Sequence, residues 1–175
     1  MNNISLKEII NIVNRKNDEM NEAMNTKIKY NFEQDFDGIY VKFNIDNENI
    51  EIRFDKWYED KIKGFYEISF TRNGEMKLIN KKENSFKILG IVKNIIFDFI
   101  EKYKPLAFFY AVSDNSTTRM NLYKKLGNFI SKNYNYKYIE SDEQFKKDKA
   151  NFLLYKNDKI LNNIIEIYNS KNYNS

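Results

Sequence analysis

The chain has no cysteine and no histidine. Without cysteine there is no disulfide scaffold and no thiolate metal site, which fits a reducing interior. Without histidine the commonest general base and metal ligand are gone. Catalysis would fall to carboxylates, tyrosine, lysine, bound water or backbone groups. No apolar run approaches the ~18 residues of a membrane span, and the polar N-terminus does not read as a secretory signal. Arginine is scarce, with four residues at positions 15, 53, 72 and 119, and the net charge of +4 comes from 29 basic and 25 acidic residues. Phosphate and base-edge recognition leans on arginine forks, so this balance argues against nucleic acid. Lys81, Lys82, Lys124 and Lys125 are left to serve a nucleic-acid-binding or host-defence-blocking alternative. Proline occurs once, at position 105.

What is present fits one α/β domain over the 175 residues. The 27 asparagines read as solvated surface in an AT-rich coding sequence. Ser5 and Glu8 form a capping box, with Ile4 and Ile9 as its staple, and predict an N-terminal helix within 1–25. Over 27–79 the apolar period is two. Ile28, Tyr30 and Phe32, then Ile39, Val41, Phe43 and Ile45, then Ile50, Ile52 and Phe54, then Tyr66, Ile68 and Phe70 predict four strands, with a short fifth at Met76 and Leu78. Turns are expected at Asp35–Gly38, Asp46–Glu48 and Arg72–Gly74. Residues 85–130 read as helix, buried strand, helix. Phe86, Leu89, Val92, Ile96 and Ile100 recur at three and four, with Ile88, Ile91, Ile95 and Phe99 beside them. Leu106–Val112 is wholly apolar, as in a strand covered on both faces. A strand pair over 134–156 and a helix over 159–169, with Ile160, Ile164, Ile165 and Tyr168 inward, complete the chain.

This order of elements resembles the GCN5-related N-acetyltransferase (GNAT) fold, a curved, mixed, mostly antiparallel sheet flanked by helices. Leu122–Phe129 (LYKKLGNF) is similar to that family's L-Y-x-K-x-G-F helix signature, and Leu106–Ser116 to its central strand and following loop. The resemblance implies that Tyr123 protonates a departing coenzyme A thiolate. It also implies that Tyr66, Ile68 and Phe70, near a bulge, hold the pantetheine arm. Glu67, on the strand between Tyr66 and Ile68, stands where a base acting through water would be placed. The family's glycine-rich pyrophosphate loop corresponds to Asn80–Ser85. Here that stretch has no glycine and carries Glu83, leaving Lys81, Lys82, Asn84 and Ser85 to meet an anion. Ser116 and Arg119 replace the family's usual asparagine and small residue. Asn84–Gly90, Thr118–Arg119 and Leu122–Tyr123 are also similar to small proteins of tailed bacteriophages, which implies a virion or a host-cytoplasm setting.

The tyrosines Tyr134, Tyr136 and Tyr138, with Trp57 and Tyr58, stand among polar neighbours, as in protein interfaces. The turn acids match no calcium loop. Together these features point to a phage or prophage accessory protein that binds a protein partner on an acetyltransferase-like scaffold, with no cofactor. The alternative is an N-acetyltransferase using acetyl-CoA.

Overall fold

Apolar residues alternate along the first strands because successive side chains leave a pleated strand on opposite faces. The computed structural model describes residues 26–45, 47–57, 63–74, 82–112, 117–140 and 150–172. In it, Ile39, Val41 and Phe43 are buried on one face of β2 (Gly38–Ile45). Ile50, Ile52 and Phe54 are buried on the matching face of β3 (Glu48–Lys56). The antiparallel register sets Val41 opposite Ile52 and Phe43 opposite Ile50. A two-residue strand, β1 (Glu33–Gln34), joins β2 through a turn held by Asp35, whose Oδ1 accepts the N–H groups of Asp37 at 3.1 Å and Gly38 at 2.8 Å. A Cβ at Gly38 would lie 2.3 Å from the Phe54 carbonyl oxygen, so this crossing requires glycine.

β4 (Phe65–Arg72) continues the meander, from Lys56 opposite Tyr66 to Ile50 opposite Arg72, without a skipped residue. The bulge expected near Tyr66–Phe70 is therefore absent. β5 (Ala107–Val112) lies beside β4 in parallel, and parallel neighbours need a crossover. That crossover contains α1 (Lys82–Tyr103). After β5 come α2 (Thr117–Tyr134), β6 (Lys137–Glu140), β7 (Ala150–Tyr155) and α3 (Asp158–Asn172). The sheet order is β1-β2-β3-β4-β5-β7-β6, with β4–β5 as its parallel pair. The result is a mixed, mostly antiparallel sheet flanked by three helices, with β5 central as its apolar sequence predicts.

The two sheet faces carry separate cores. On one, Phe54, Ile68, Phe108, Tyr110, Phe152 and Leu154 pack with α1 and with Ile130 of α2. On the other, Phe65, Ala107, Leu153 and Tyr155 pack with Ile164 and Ile167 of α3. The phenyl rings of Phe54 and Phe99 stack at 3.8 Å between centroids, where β3 meets α1. The buried ridge of α1 is Ile88, Ile91, Ile95 and Phe99 with Ile96 and Ile100, while Leu89 and Val92 are half-buried at its margin. The helical period was legible, but its centre lies on the residues expected beside the stripe. In α3 the inward set is rotated too. Ile167 is buried and Ile165 is 41% exposed, because Ile160, Ile164 and Ile167 follow the four-then-three spacing of one face. α1 ends with Lys104 at φ +47°, its N–H donating to the Ile100 carbonyl at 3.0 Å, and Pro105 follows.

Ile28, Tyr30 and Phe32 alternate but form no ladder. They are anchored by side chains instead: Phe32 packs edge-on to Tyr103, and the Tyr30 hydroxyl donates to Asp98 of α1. The predicted N-terminal helix, the strand at Met76 and Leu78, and the loop residues Asn80 and Lys81 lie outside the described residues.

Gly127, the glycine of the LYKKLGNF stretch, has a packing role. A Cβ there would lie 2.4 Å from the Tyr138 ring, which is itself stacked parallel to Phe152. Gly127→Ala should cost about 1–3 kcal/mol in urea denaturation. Combining it with Tyr138→Leu should give a total well below the sum of the two single losses.

Candidate functional site

The parallel ladder between β4 and β5 has three rungs: Phe65 with Ala107, Tyr66 with Phe108, and Glu67 with Phe109. Beyond Glu67 the strands part. Ile68–Arg72 stay paired to β3, and Tyr110–Val112 stay paired to β7. Among the described residues, no strand joins the inner edges of those two segments. Among the described residues the parallel ladder thus ends at Glu67 and Phe109, and β4 and β5 continue on different neighbours, leaving a fork between them.

Glu67 sits on the last rung and is half-buried, with Asp55 opposite it on β3. It alternates with Tyr66 and Ile68, so it emerges on the face shared by Phe65 and the α3 cluster. Across the fork on that face, Phe109 packs with Trp57 and Phe65 at 5.5 Å each. Tyr66, Ile68 and Phe70 turn the other way, into the α1 core. Tyr66 meets the Phe99 ring edge-on at 5.1 Å, and burial raises its hydroxyl pKa. These three side chains are structural.

Tyr123 lies on the α1 face, opposite to Glu67. Its ring is 5.2 Å from Tyr110, the first β5 residue past the last rung, and 6.0 Å from Phe152 of β7. The Tyr110 hydroxyl donates to the Tyr123 carbonyl at 3.0 Å, fixing α2 to β5 at this point. The Tyr123 ring thus rests over the β5–β7 pair, beside the gap. At the far end of β4, Arg72 is buried and ion-paired with Glu48 of β3. Lys82, Asn84 and Ser85, expected in a loop, belong to the first turn of α1 together with Glu83.

The expected aromatic interface largely dissolves into the core. Tyr136 is 3% exposed, and its hydroxyl donates to the Pro105 carbonyl at 2.5 Å. Tyr138 is half-buried against Gly127 and Phe152. Tyr134 is half-buried, packing on Phe97 and donating to Glu101 at 3.3 Å. Trp57 is half-buried in the α3 cluster, and Tyr58 lies outside the described residues. Tyrosine among polar sequence neighbours resembles an interface because the partners that bury it come from other elements. Of the four lysines considered, Lys124 is paired with Glu140 at 2.7 Å and Lys125 is exposed.

The open face of the meander holds a feature that the linear reading missed. Arg53 of β3 donates to Asp35 at 2.9 Å, to Asp55 at 3.0 Å and to Glu51 at 3.4 Å. Strand parity already put Glu51, Arg53 and Asp55 on one face, but only the β1–β2 turn brings Asp35 to them. Among the described residues there is no group of three or more His, Cys, Asp or Glu able to hold a metal ion. No described helix is long and apolar enough to cross a membrane. A shallow groove of about 470 Å³, lined by Tyr30, Asn31, Phe32, Asp98, Glu101 and Lys102, shares no residue with the fork.

The Arg53 hydrogen bond holds the Asp35 carboxyl below its ordinary pKa, with the Gly38 N–H adding to the effect. A depressed carboxyl stabilises the fold above its unfolded value and loses that contribution as pH falls through the folded one. Asp35 should therefore titrate below the ordinary aspartate range by carbon-detected NMR, and Arg53→Met should move its midpoint upward.

Comparison with family models, with curated proteins and with solved structures finds no match to this chain.

Proposed function

We propose that the chain is an acyltransferase of GNAT-like architecture that moves an acyl group from a thioester to an amine, with the β4–β5 fork as its donor site. The observation that supports this reading is the ladder of three parallel rungs followed by an opening, with a carboxylate on the last rung. Exposed strand edges bind extended, amide-bearing chains, since such a chain supplies the missing ladder partners. The donor, when bound, supplies an activated acyl carbonyl.

The chain's own residues divide the remaining work by sheet face. Glu67 is placed to take a proton, directly or through one water, from an amine arriving on the Phe65–Phe109 face. Tyr123 stands on the opposite face, where a leaving thiolate needs a proton. Two groups on opposite sides of one gap suit a reaction in which a proton is removed on one side of the carbonyl and delivered on the other. Phe109, Trp57 and Phe65 give the Glu67 side an apolar wall, which limits water around the reacting amine.

A second reading is the protein-binding scaffold without acyl transfer, of the phage accessory kind that the sequence suggests. It is favoured by the Tyr123 ring resting over Tyr110 and Phe152, and by a first turn of α1 with no glycine.

Thiol release from acetyl thioesters, measured with a panel of primary amines, separates the two readings. On the transferase reading Glu67→Gln should lower kcat about 100-fold with little change in donor KM, since only the proton acceptor is removed. Absence of both turnover and donor binding in the unaltered chain would leave the scaffold reading in its place.

A further inference from the structure

Of the 27 asparagines in the chain, only Asn73 is followed by glycine. That pair forms the turn at the end of β4. Asn73 has φ +53° and Gly74 has φ +79°, and both residues are exposed. Asparagine and glycine are the residues that accept this left-handed backbone most readily. Two hydrogen bonds tie the turn to β3. The Asn73 N–H donates to the Asn49 carbonyl at 2.7 Å, and the Asn49 N–H donates to Asn73 Oδ1 at 2.8 Å. The side-chain oxygen of Asn73 thus takes the place that a ladder carbonyl would fill for Asn49.

The same arrangement presents an amide carbon to a peptide nitrogen. Gly74 has no Cβ to shield its N–H, and no atom beyond its chain neighbours lies within 4 Å of where one would sit. The Asn49 N–H polarises the side-chain carbonyl of Asn73, and it is in place to hold the oxyanion formed when that carbonyl is attacked. Attack requires the turn to swing the Gly74 nitrogen toward Cγ of Asn73. An exposed turn at the end of a hairpin opens at small cost.

We propose that Asn73–Gly74 is a site of spontaneous modification, where the side-chain amide of Asn73 is converted to aspartate and isoaspartate. The Gly74 nitrogen bonds to Asn73 Cγ and gives up its proton. The Cγ–Nδ2 bond breaks, and Nδ2 leaves with that proton as ammonia. Water then opens the five-membered imide at either of its carbonyls. Opening at Cγ gives aspartate, whose carboxylate still accepts from Asn49. Opening at the main-chain carbonyl gives isoaspartate, which adds one carbon to the backbone of the turn. Next to that turn Arg72 is paired in register with Ile50 and buried against Glu48, so the added carbon strains the end of the β3–β4 ladder. Isoaspartate therefore loosens this hairpin end more than aspartate does.

The test is incubation of the full chain in mildly alkaline buffer, folded and in urea. Both samples are followed by peptide mass mapping and by enzymatic methylation of isoaspartate. The expected result is conversion at position 73 ahead of every other asparagine in the folded chain. Its rate should lie within about tenfold of that in urea, because the hydrogen bonds released on opening the turn have a small net worth. Gly74→Ala, whose Cβ shields the attacking nitrogen, should slow conversion in the urea sample. The isoaspartate fraction of the folded protein should unfold at lower urea than the Asn73→Asp variant. An Asn73 that stays intact in the folded chain while the urea sample converts would overturn the proposal, as would earlier conversion of another asparagine. An unchanged rate in Gly74→Ala would overturn the chemical route. Equal urea midpoints for the isoaspartate fraction and Asn73→Asp would overturn its structural consequence.

Discussion

The rest of the fold depends on β5, bonded to β7 along its length and to β4 over Ala107–Phe109, with side chains packed on both of its faces. Ala107 and Phe108 have no exposed surface, and Tyr110 has 4%. Such a strand must be apolar throughout, and it must receive its two neighbours from distant parts of the chain. One neighbour, β4, comes from the meander and runs parallel, so a helix has to carry the chain between them. The other, β7, arrives after α2 and β6 and runs antiparallel. From Tyr66 to Arg72, β4 is paired to β3, and β5 is paired along its length to β7. The parting beyond Glu67 is where those two allegiances separate. The candidate site is thus a consequence of how the central strand is bonded.

The chemistry around that gap reflects a chain without histidine or cysteine. Tyrosine takes over much of the buried polar work. Burial raises the hydroxyl pKa of Tyr110, Tyr136 and Tyr138. Tyr110 and Tyr136 donate to main-chain carbonyls of other segments, so each fixes one element against another. Lys156 acts in the same way from the polar side. Its ammonium donates to the Tyr134 carbonyl at the end of α2 and lies 3.7 Å from the centre of the Tyr136 ring, while burial lowers its pKa. These contacts hold α2 against the sheet, and Tyr123 with it.

Much of the fold was legible from periods. The two-residue alternation of Ile39–Phe43 and Ile50–Phe54, the apolar run of Ala107–Val112, and the helical spacing of α1 and α3 each fixed an element and its inward face to within a small rotation. The errors have local causes. Ile28–Phe32 alternates because one side of it lies on α1, and a segment held by side chains shows the same period as a strand. Tyr136 and Tyr138 looked like surface because their sequence neighbours are polar. Gly127 drew attention as part of a family-like signature, while its physical role is to let α2 lie against the Tyr138 ring.

By itself, the sequence determined which residues share a face. Parity along a strand and the 3.6-residue turn of a helix are local properties of the backbone, and they separate Glu67 from Tyr66 and Ile68 before any tertiary structure exists. Only the tertiary structure decided what those faces meet. Glu67 stands on the last rung beside Phe109, Asp35 reaches Arg53, and Tyr123 lies on the far side of the gap because strands distant in the chain are paired in one register. A shift of one residue in that register would exchange the two faces. Register is set by the summed packing of both cores, so no single segment could reveal it.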